Sequence, residues 1–435
     1  MNALLGACYA AGMALADVAA LAASTLAPAS ENKVIRSLRA RHGVMTRWAA
    51  QTSARDISHP LVWWHAPSVG EGLQARPVAH ALRRAHPAWQ QAYSFFSPSA
   101  ERFATSIGAE FTGYLPFDRA SSADHLLDLL RPSALVFAKL DVWPVHVSRA
   151  VRANVPVAMI SATLAARSSR RSRLSSALLR DAYDSLQAVG AIDAKNAERL
   201  VALGVRRDVI QVTGDTRFDQ VAERAATVDR ASPLLTLLAS DRPTLVAGST
   251  WPADEAVLCA AWEMLRACVP AARLIVAPHE PTASHVKPLM TWARGADLTA
   301  RTLSDVESSG RADDCDVVVL DRVGVLGDVY ALASVAFVGG GFHSAGLHSV
   351  IEPAAFGVPV LFGPRHHMSR EAQLLLRVGA AEAVPSPTEL HRILHRWISS
   401  EDLRRRTGDS AFALVHSELG ATARSTALIE SITHQ

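Results

Sequence analysis

The 435-residue sequence predicts an α/β fold, two Rossmann-like domains facing across a cleft. Three observations carry that expectation. Short apolar runs such as Leu61-Val62-Trp63-Trp64 and Ala134-Leu135-Val136-Phe137-Ala138 have the length and uniform hydrophobicity of parallel strands buried on both faces. They alternate with stretches of helical periodicity, as right-handed crossovers of a parallel sheet require. The pattern also starts twice, at Leu61 and again at Thr244, each time as a strand running into a glycine turn.

The elements follow in order. In the first half, 61–66 is a strand, 67–72 a turn and 73–86 a helix with Leu73, Pro77, Val78, Ala81 and Leu82 on one face. Tyr93-Ser94-Phe95-Phe96, 111–115, 134–138, 155–160 and 188–192 continue as strands, and Val209 to Asp219 closes the half. A connection over 229–241 leads to the strands starting at Thr244, Arg273 and Val317. The domain expectation is therefore an apolar segment 1–30, a first domain 31–228 and a second domain 241–435. Ligands of such sheets bind beyond the carboxyl ends of the strands. Gly70-Glu71, Gly214-Asp215, Gly248-Ser249, Pro278-His279 and the Gly339 loop all fall at those ends.

The last of these loops has the most to say. Val338-Gly339-Gly340-Gly341 leads through His343 and His348 to Ser349-Val350-Ile351-Glu352-Pro353, and Val358-Pro359-Val360-Leu361 follows as a strand. Three glycines let the backbone turn and expose N–H groups, which with a helix N-terminus attract anions. Ser349 and Glu352 stand in capping-box register, and Glu352 also suits ribose hydroxyls. A tight turn with a plain cap accounts for the same residues.

Composition limits the function. Hydrophobic residues make up 49% and charged residues 20%, so the chain is globular, and a formal charge of +3 gives no reason to expect nucleic acid. Cys8, Cys259, Cys268 and Cys315 lack metal-ligand spacing and read as reduced thiols. From Ala3 to Pro28 nearly every residue is apolar or small, with Asp17 the single charge, and Lys33, Arg36, Arg39 and Arg41 follow. A signal peptide, a buried alanine-rich helix and a membrane anchor compete here. No positive residue precedes the apolar run, which favours the anchor with its basic flank on the cytoplasmic side. Arg167, Arg170, Arg171, Arg173 and Arg180 form either a solvated helix face or a surface for anionic lipid or phosphate. Asp313-Asp314-Cys315-Asp316 reads as solvated turn acids, and His366-His367 or His343 with His348 lack a third metal ligand. No P-loop and no Gly-x-Ser-x-Gly elbow occurs.

At this point the motifs resemble a known family, the bacterial Kdo (3-deoxy-D-manno-octulosonic acid) transferases, which are glycosyltransferases of GT-B architecture. The residues that carry the resemblance are Trp64-His65-Ala66-Pro67-Ser68-Val69-Gly70-Glu71, Tyr114-Leu115-Pro116-Phe117-Asp118, Val212-Thr213-Gly214-Asp215-Thr216-Arg217-Phe218-Asp219, Ala247-Gly248-Ser249-Thr250 and the run from Glu352 to Pro364. They occur in family order between Trp63 and Ala381.

The resemblance implies transfer of Kdo from CMP-Kdo to a lipid A precursor at the inner membrane, on its cytoplasmic side and without a metal. It implies Glu71 as catalytic base. Lys139, Asp141 and Arg217 fall on the other catalytic positions. It places the nucleotide on Pro278, His279, Val323, Gly324, Val325, Gly340, Gly341, His348, Ser349 and Glu352. Ser68 and Gly70, with Arg171 of the arginine-rich stretch, are assigned to the acceptor. The chain departs from the family at Lys139 (an acid in the family), Arg217 (lysine), His279 (arginine), Val325 (acid) and Ser349 (asparagine). Two other readings stay open: a related transferase with another nucleotide sugar or acceptor, and a membrane-associated binding protein without turnover.

Overall fold

Apolar strand residues with no polar alternation must bury both faces, and the sheets do so. The computed structural model describes residues 3–27, 30, 32–165, 168–310, 312, 314–344 and 346–433. The helices named below are α1 (Ala3–Leu26), α2 (Lys33–Arg39), α3 (Val44–Thr52) and α4 (Val69–Ala85). The strands of the first sheet are β1 (Leu61–His65), β2 (Gln90–Phe95), β3 (Phe111–Tyr114), β4 (Ala134–Ala138), β5 (Val157–Ala162), β6 (Ala188–Ala191) and β7 (Ile210–Val212). Those of the second are β8 (Thr244–Thr250), β9 (Arg273–Pro278), β10 (Ala300–Thr302), β11 (Val317–Val319), β12 (Val335–Val338), β13 (Val360–Phe362) and β14 (Ala381–Ala383).

Each half is a seven-stranded parallel sheet, in the orders β3-β2-β1-β4-β5-β6-β7 and β10-β11-β9-β8-β12-β13-β14. The strand order reverses between β1 and β4 in the first sheet, and between β8 and β12 in the second. Those reversals open the crevices where ligands of such sheets bind. In the first sheet Trp63 and Trp64 point to opposite faces and are both buried, each indole N–H satisfied within the sheet: Trp63 donates to Ser94 Oγ (2.8 Å) and Trp64 to Gln91 Oε1 (2.9 Å). In the second, Leu245, Leu274, Val317 and Val335 serve one core, while Val246, Ile275, Val318 and Ala336 serve the other.

The chain divides into two compact units, Met1–Asp219 with Leu419–Gln435, and Gln220–Glu418. The C-terminal run thus does not stay with the second half, as the expected domain 241–435 has it. Leu428, Ile429 and Ile432 of the last helix, Ala421–Thr433, belong to the core of the first unit. Asp219 caps that helix, its carboxylate accepting from Gly420 N (2.7 Å) and Thr422 N (2.8 Å). The edge strands β10 and β14 escaped sequence reading: each is three residues long and barely apolar, and burial is only partial.

Candidate functional site

In the first unit the crevice between β1 and β4 collects the sequence candidates. The chain leaves β1 through Ala66-Pro67 and enters α4 at Val69, four residues earlier than the expected start at Leu73. Gly70 and Glu71 therefore lie in the first helical turn, not in a loop. Ser68 is the N-cap but makes no capping bond; its hydroxyl donates to the Glu71 carboxylate. Glu71 Oε1 also receives Lys139 Nζ at 3.3 Å, with side-chain exposures of 19% for Glu71 and 41% for Lys139. A Cβ at Gly72 would meet Phe103 at 2.4 Å and Tyr93 Oη at 2.7 Å, so only glycine lets this turn seat so low. Lys139 follows β4 with a left-handed backbone (φ 66°), a conformation that costs a non-glycine residue energy and that gathers at functional sites. Ser161 (φ 50°) at the end of β5 shares it.

Asp141 is built into the same end of the sheet. Its carboxylate takes Arg170 Nη2 at 2.9 Å and the Trp143 indole N–H at 3.2 Å, with His65 Nε2 at 3.6 Å. Burial presses the Asp141 carboxyl upward, but His65 and Arg170 outweigh it and hold the group below its ordinary value. Burial drives the fully enclosed His65 below its ordinary value, against the pull of Asp141. Its Nε2 lies 3.2 Å from the Trp143 indole nitrogen and its Nδ1 2.9 Å from Ser94 Oγ. Arg170 is thus part of this network. The side chain of Arg171 lies outside the described residues, as do Arg167 and Asp313.

Arg217 sits beyond β7 in a fork on the fully buried Asp215, with Nη2 to Oδ2 at 2.6 Å and Nε to both oxygens at 3.1 Å. Sequence reading missed Asp215 as its partner; where the family pattern has asparagine and lysine, this chain has aspartate and arginine. The two departures form one bidentate ion pair.

In the second unit the crevice between β8 and β12 is lined by the triple-glycine loop and by the residues after β8. The loop is closely packed. A Cβ at Gly340, itself at φ 88°, would come within 2.1 Å of Gly346 O, and one at Gly339 within 2.3 Å of Ser249 O. Its amides are not all open to a phosphate, as the sequence alone implied. Asp254, buried in the first turn of the helix Pro252–Cys268, accepts from Gly340 N (2.7 Å), Phe342 N (3.0 Å) and Trp251 N (2.9 Å). A carboxylate of the chain itself thus occupies two loop amides, one of them the candidate Gly340.

Around Trp251 stand three histidines. His343 stacks on the indole with centroids 4.4 Å apart, His279 lies at 4.7 Å, and His348 stacks on His279 at 4.3 Å. Trp251 Nε1 donates to His348 Nε2 at 3.1 Å. Burial, with His279 opposing its charge, lowers His348 to about 4, so its ring is neutral and free to accept that bond. Pro278 ends β9 and delivers His279 to this group. Sequence reading found His279 and His348 but not Trp251 or Asp254, whose one signal was their place just after Ala247-Gly248-Ser249-Thr250.

Glu352 lies beyond the loop. The helix there is Ile351–Ala355 with Val350 as N-cap, so Ser349 does not cap it; Ser349 bonds the Glu352 side chain instead. Burial raises Glu352 above its ordinary value, opposed by Arg224 and that hydroxyl. Arg224 also binds Asp328 (Nε to Oδ1, 3.0 Å) and reaches Gly324 O at 3.5 Å. It thereby brings the turn Val323-Gly324-Val325 toward Glu352, though Val323 itself is 76% exposed. Gly341 abuts Gly363 beyond β13. The acids Asp314 and Asp316 are taken up by arginines: Arg301 on the first, and Arg242 and Arg266 on the second. Among the described residues no three His, Cys, Asp or Glu side chains converge as a metal site.

Both units thus carry a charged or histidine-rich centre at the strand reversal of a Rossmann-like sheet, and known proteins share the fold. The chain superimposes on UDP-GlcNAc 2-epimerase from Neisseria meningitidis with a TM-score of 0.60 over 86% of this chain and 99% of that one, at 13% identity. A glycosyltransferase from Rickettsia africae gives a TM-score of 0.56 over 86% of this chain and 98% of that one, at 10% identity. At such identities the likeness concerns the fold alone. In sequence, the chain is 25% identical to the 3-deoxy-D-manno-octulosonic acid transferase of Haemophilus influenzae, over 90% of this chain and 91% of that one. It is 27% identical to the protein of the same name from Bordetella pertussis, over 85% and 86% of the two chains. Residues 36–220 match the family profile described as 3-Deoxy-D-manno-octulosonic-acid transferase (kdotransferase). With that profile spanning the first sheet and same-named relatives along most of its length, the chain is similar to the 3-deoxy-D-manno-octulosonic-acid transferases.

Proposed function

We propose that the chain is an inverting glycosyltransferase. It moves Kdo from CMP-Kdo to a hydroxyl of a lipid A precursor, without a metal, at the cytoplasmic face of the inner membrane. The observation that carries this reading is the placement of Glu71 at the β1/β4 reversal, held between the Ser68 hydroxyl and Lys139.

The chemistry follows from the two units. The acceptor oxygen attacks the anomeric carbon, its proton passes to the Glu71 carboxylate, and the bond to the CMP phosphate breaks with its electron pair on phosphate. Lys139 pairs with the base and keeps it aimed. Glu352 accepts from the ribose hydroxyls. His279 and the Trp251 face receive the nucleotide, and the remaining loop and helix N–H groups offset charge on the leaving phosphate. Ser68 and Gly70 line the acceptor side, and Arg171 is assigned to the acceptor by the family resemblance. Replacing Glu71 by Gln is expected to lower kcat by roughly 10²–10⁴-fold while leaving CMP binding by calorimetry unchanged. Retained turnover refutes the assignment of the base.

The 3.3 Å pair of Lys139 with Glu71 also favours a second reading, a related transferase with another donor or acceptor, because the family places an acid at Lys139. A panel of CMP-, UDP- and GDP-sugars separates the two: turnover of a donor other than CMP-Kdo supports the second.

A further inference from the structure

Among the described residues, α1 is the one helix long and apolar enough to cross a membrane, with mean hydropathy 1.7. Yet it is tied to the first unit along one face. The Tyr9 hydroxyl donates to Asp118 Oδ2 at 2.8 Å, Asp17 accepts from Arg119, and Ala20 is 2% exposed. Asp118 is itself fixed by the backbone N–H groups of Val145 (2.9 Å) and His146 (2.8 Å). The tether therefore leads into the folded unit. Tyr9 and Asp17 are about two helical turns apart, so the contact runs along the helix instead of holding one end.

The opposite face carries Leu4 (74% exposed), Leu15 (69%), Val18 (65%), Leu21 (50%) and Leu26 (83%). At about 100° per residue these five project to one side, away from Tyr9 and Ala20. Cys8 is exposed on the same side. Next in the chain, α2 packs on α1, and α2 with α3 bears Lys33, Arg36, Arg39 and Arg47 with no acid. A helix crossing the bilayer would have to give up both tethers and place the Asp17 carboxylate in hydrocarbon. A helix with an apolar ridge on one side and a polar seat on the other lies in the interface instead, and a neighbouring basic helix suits anionic headgroups.

We propose that α1 is an in-plane anchor: its polar face stays seated on Asp118 and Arg119, and its leucine ridge enters the outer acyl layer of an anionic bilayer. This rests on the membrane reading above and specifies its geometry. Asp118, which holds Tyr9, also binds the backbone of Val145 and His146 just beyond Asp141 and β4, so the seat adjoins the end of the sheet that carries Glu71. A lipid acceptor then approaches the base laterally from the membrane surface.

The test uses the full chain with Cys259 and Cys268 replaced by serine and a nitroxide placed at Cys8 or, in a Cys8→Ser background, at Leu15→Cys or Leu26→Cys. Depth is measured in vesicles of phosphatidylglycerol and phosphatidylcholine. The expectation is one shallow depth at all three positions, and at least tenfold weaker binding to phosphatidylcholine alone. Depth that changes by about 1.5 Å per residue from 8 to 26 means a spanning helix and overturns the proposal. So does failure to bind vesicles, or self-association through the leucine ridge without lipid. Transfer from CMP-Kdo to a detergent-solubilised acceptor, assayed on the same preparations, keeps the two readings apart. A wrong depth with full transfer removes only the in-plane anchor, whereas a correct depth with no transfer removes only the proposed reaction.

Discussion

Each half of the chain sets a Ser-x-x-Glu where a helix begins beyond a strand at its crevice, and the two glutamates are treated in opposite ways. In both, the serine hydroxyl turns from capping duty to the glutamate side chain. Glu71 then meets a cation at 3.3 Å and keeps part of its surface in water. Glu352 is half-buried as well, but burial dominates its titration. The first arrangement pairs a carboxylate with a cation and leaves it in reach of water. The second sets burial of a carboxyl against Arg224 and a serine hydroxyl. The neighbouring backbone differs too: the loop beside Glu352 is clamped by Asp254 on two amides, Gly340 and Phe342, whereas the turn at Glu71 is held by side chains.

The largest effect is expected where the clamp is removed. Asp254→Ala orphans three backbone N–H groups, and each unmet buried group costs about 1–3 kcal/mol. The second unit should lose about 3 kcal/mol or more, read as a fall in Tm of roughly 6–12 °C for a unit of this size. Ser68→Ala in the first unit should cost less than about 1 kcal/mol, since it removes one partly exposed bond. Equal losses in the two variants would erase the contrast between a rigid and an adaptable centre.

The architecture was legible because both sheets are built from uniformly apolar runs, and a glycine turn follows several of them. What stayed hidden was partnership across sequence. Nothing at Lys139 announces that it reaches Glu71, because the contact depends on β1 and β4 lying side by side with their ends level. The Arg170–Asp141 bond likewise turns an apparent surface charge run into a half-buried brace. Asp254 looks like an ordinary acid in a first helical turn, and only the approach of β12 to β8 reveals that it fills a loop that glycine content alone marks as an anion site. The C-terminal helix returns to the first unit because Asp219 caps it, a contact between residues some two hundred positions apart.

The second test turns on Glu352. A carboxyl whose folded value is raised above the ordinary 4.5 binds its proton more tightly in the folded state. It therefore contributes stability that is fully present below pH 4.5 and is lost as pH rises through the raised value. Glu352→Gln removes that slope. Unfolding curves from pH 4 to 8 should show the wild type losing stability relative to the variant across this window. CMP binding by the variant should weaken by about tenfold if the carboxylate accepts from ribose. Parallel pH curves would mean that Glu352 is as well solvated as Glu71, and the two halves would then differ only in sequence.

The smallest effect concerns the ion pair of the first unit. Both partners touch water, at 19% and 41% side-chain exposure, so solvent and salt screen their attraction. A double-mutant cycle with Glu71→Gln and Lys139→Met, read by chemical denaturation, is expected to give a coupling of about 0.5–1 kcal/mol that shrinks at 1 M salt. Such weak coupling is what a base needs if an incoming acceptor hydroxyl is to compete with Lys139 for its oxygen. A coupling well above 2 kcal/mol and insensitive to salt would make the pair a structural lock. Glu71 would then resemble Glu352 in function, a carboxylate fixed in place, and the work of accepting a proton would have to pass to another group in the β1/β4 crevice.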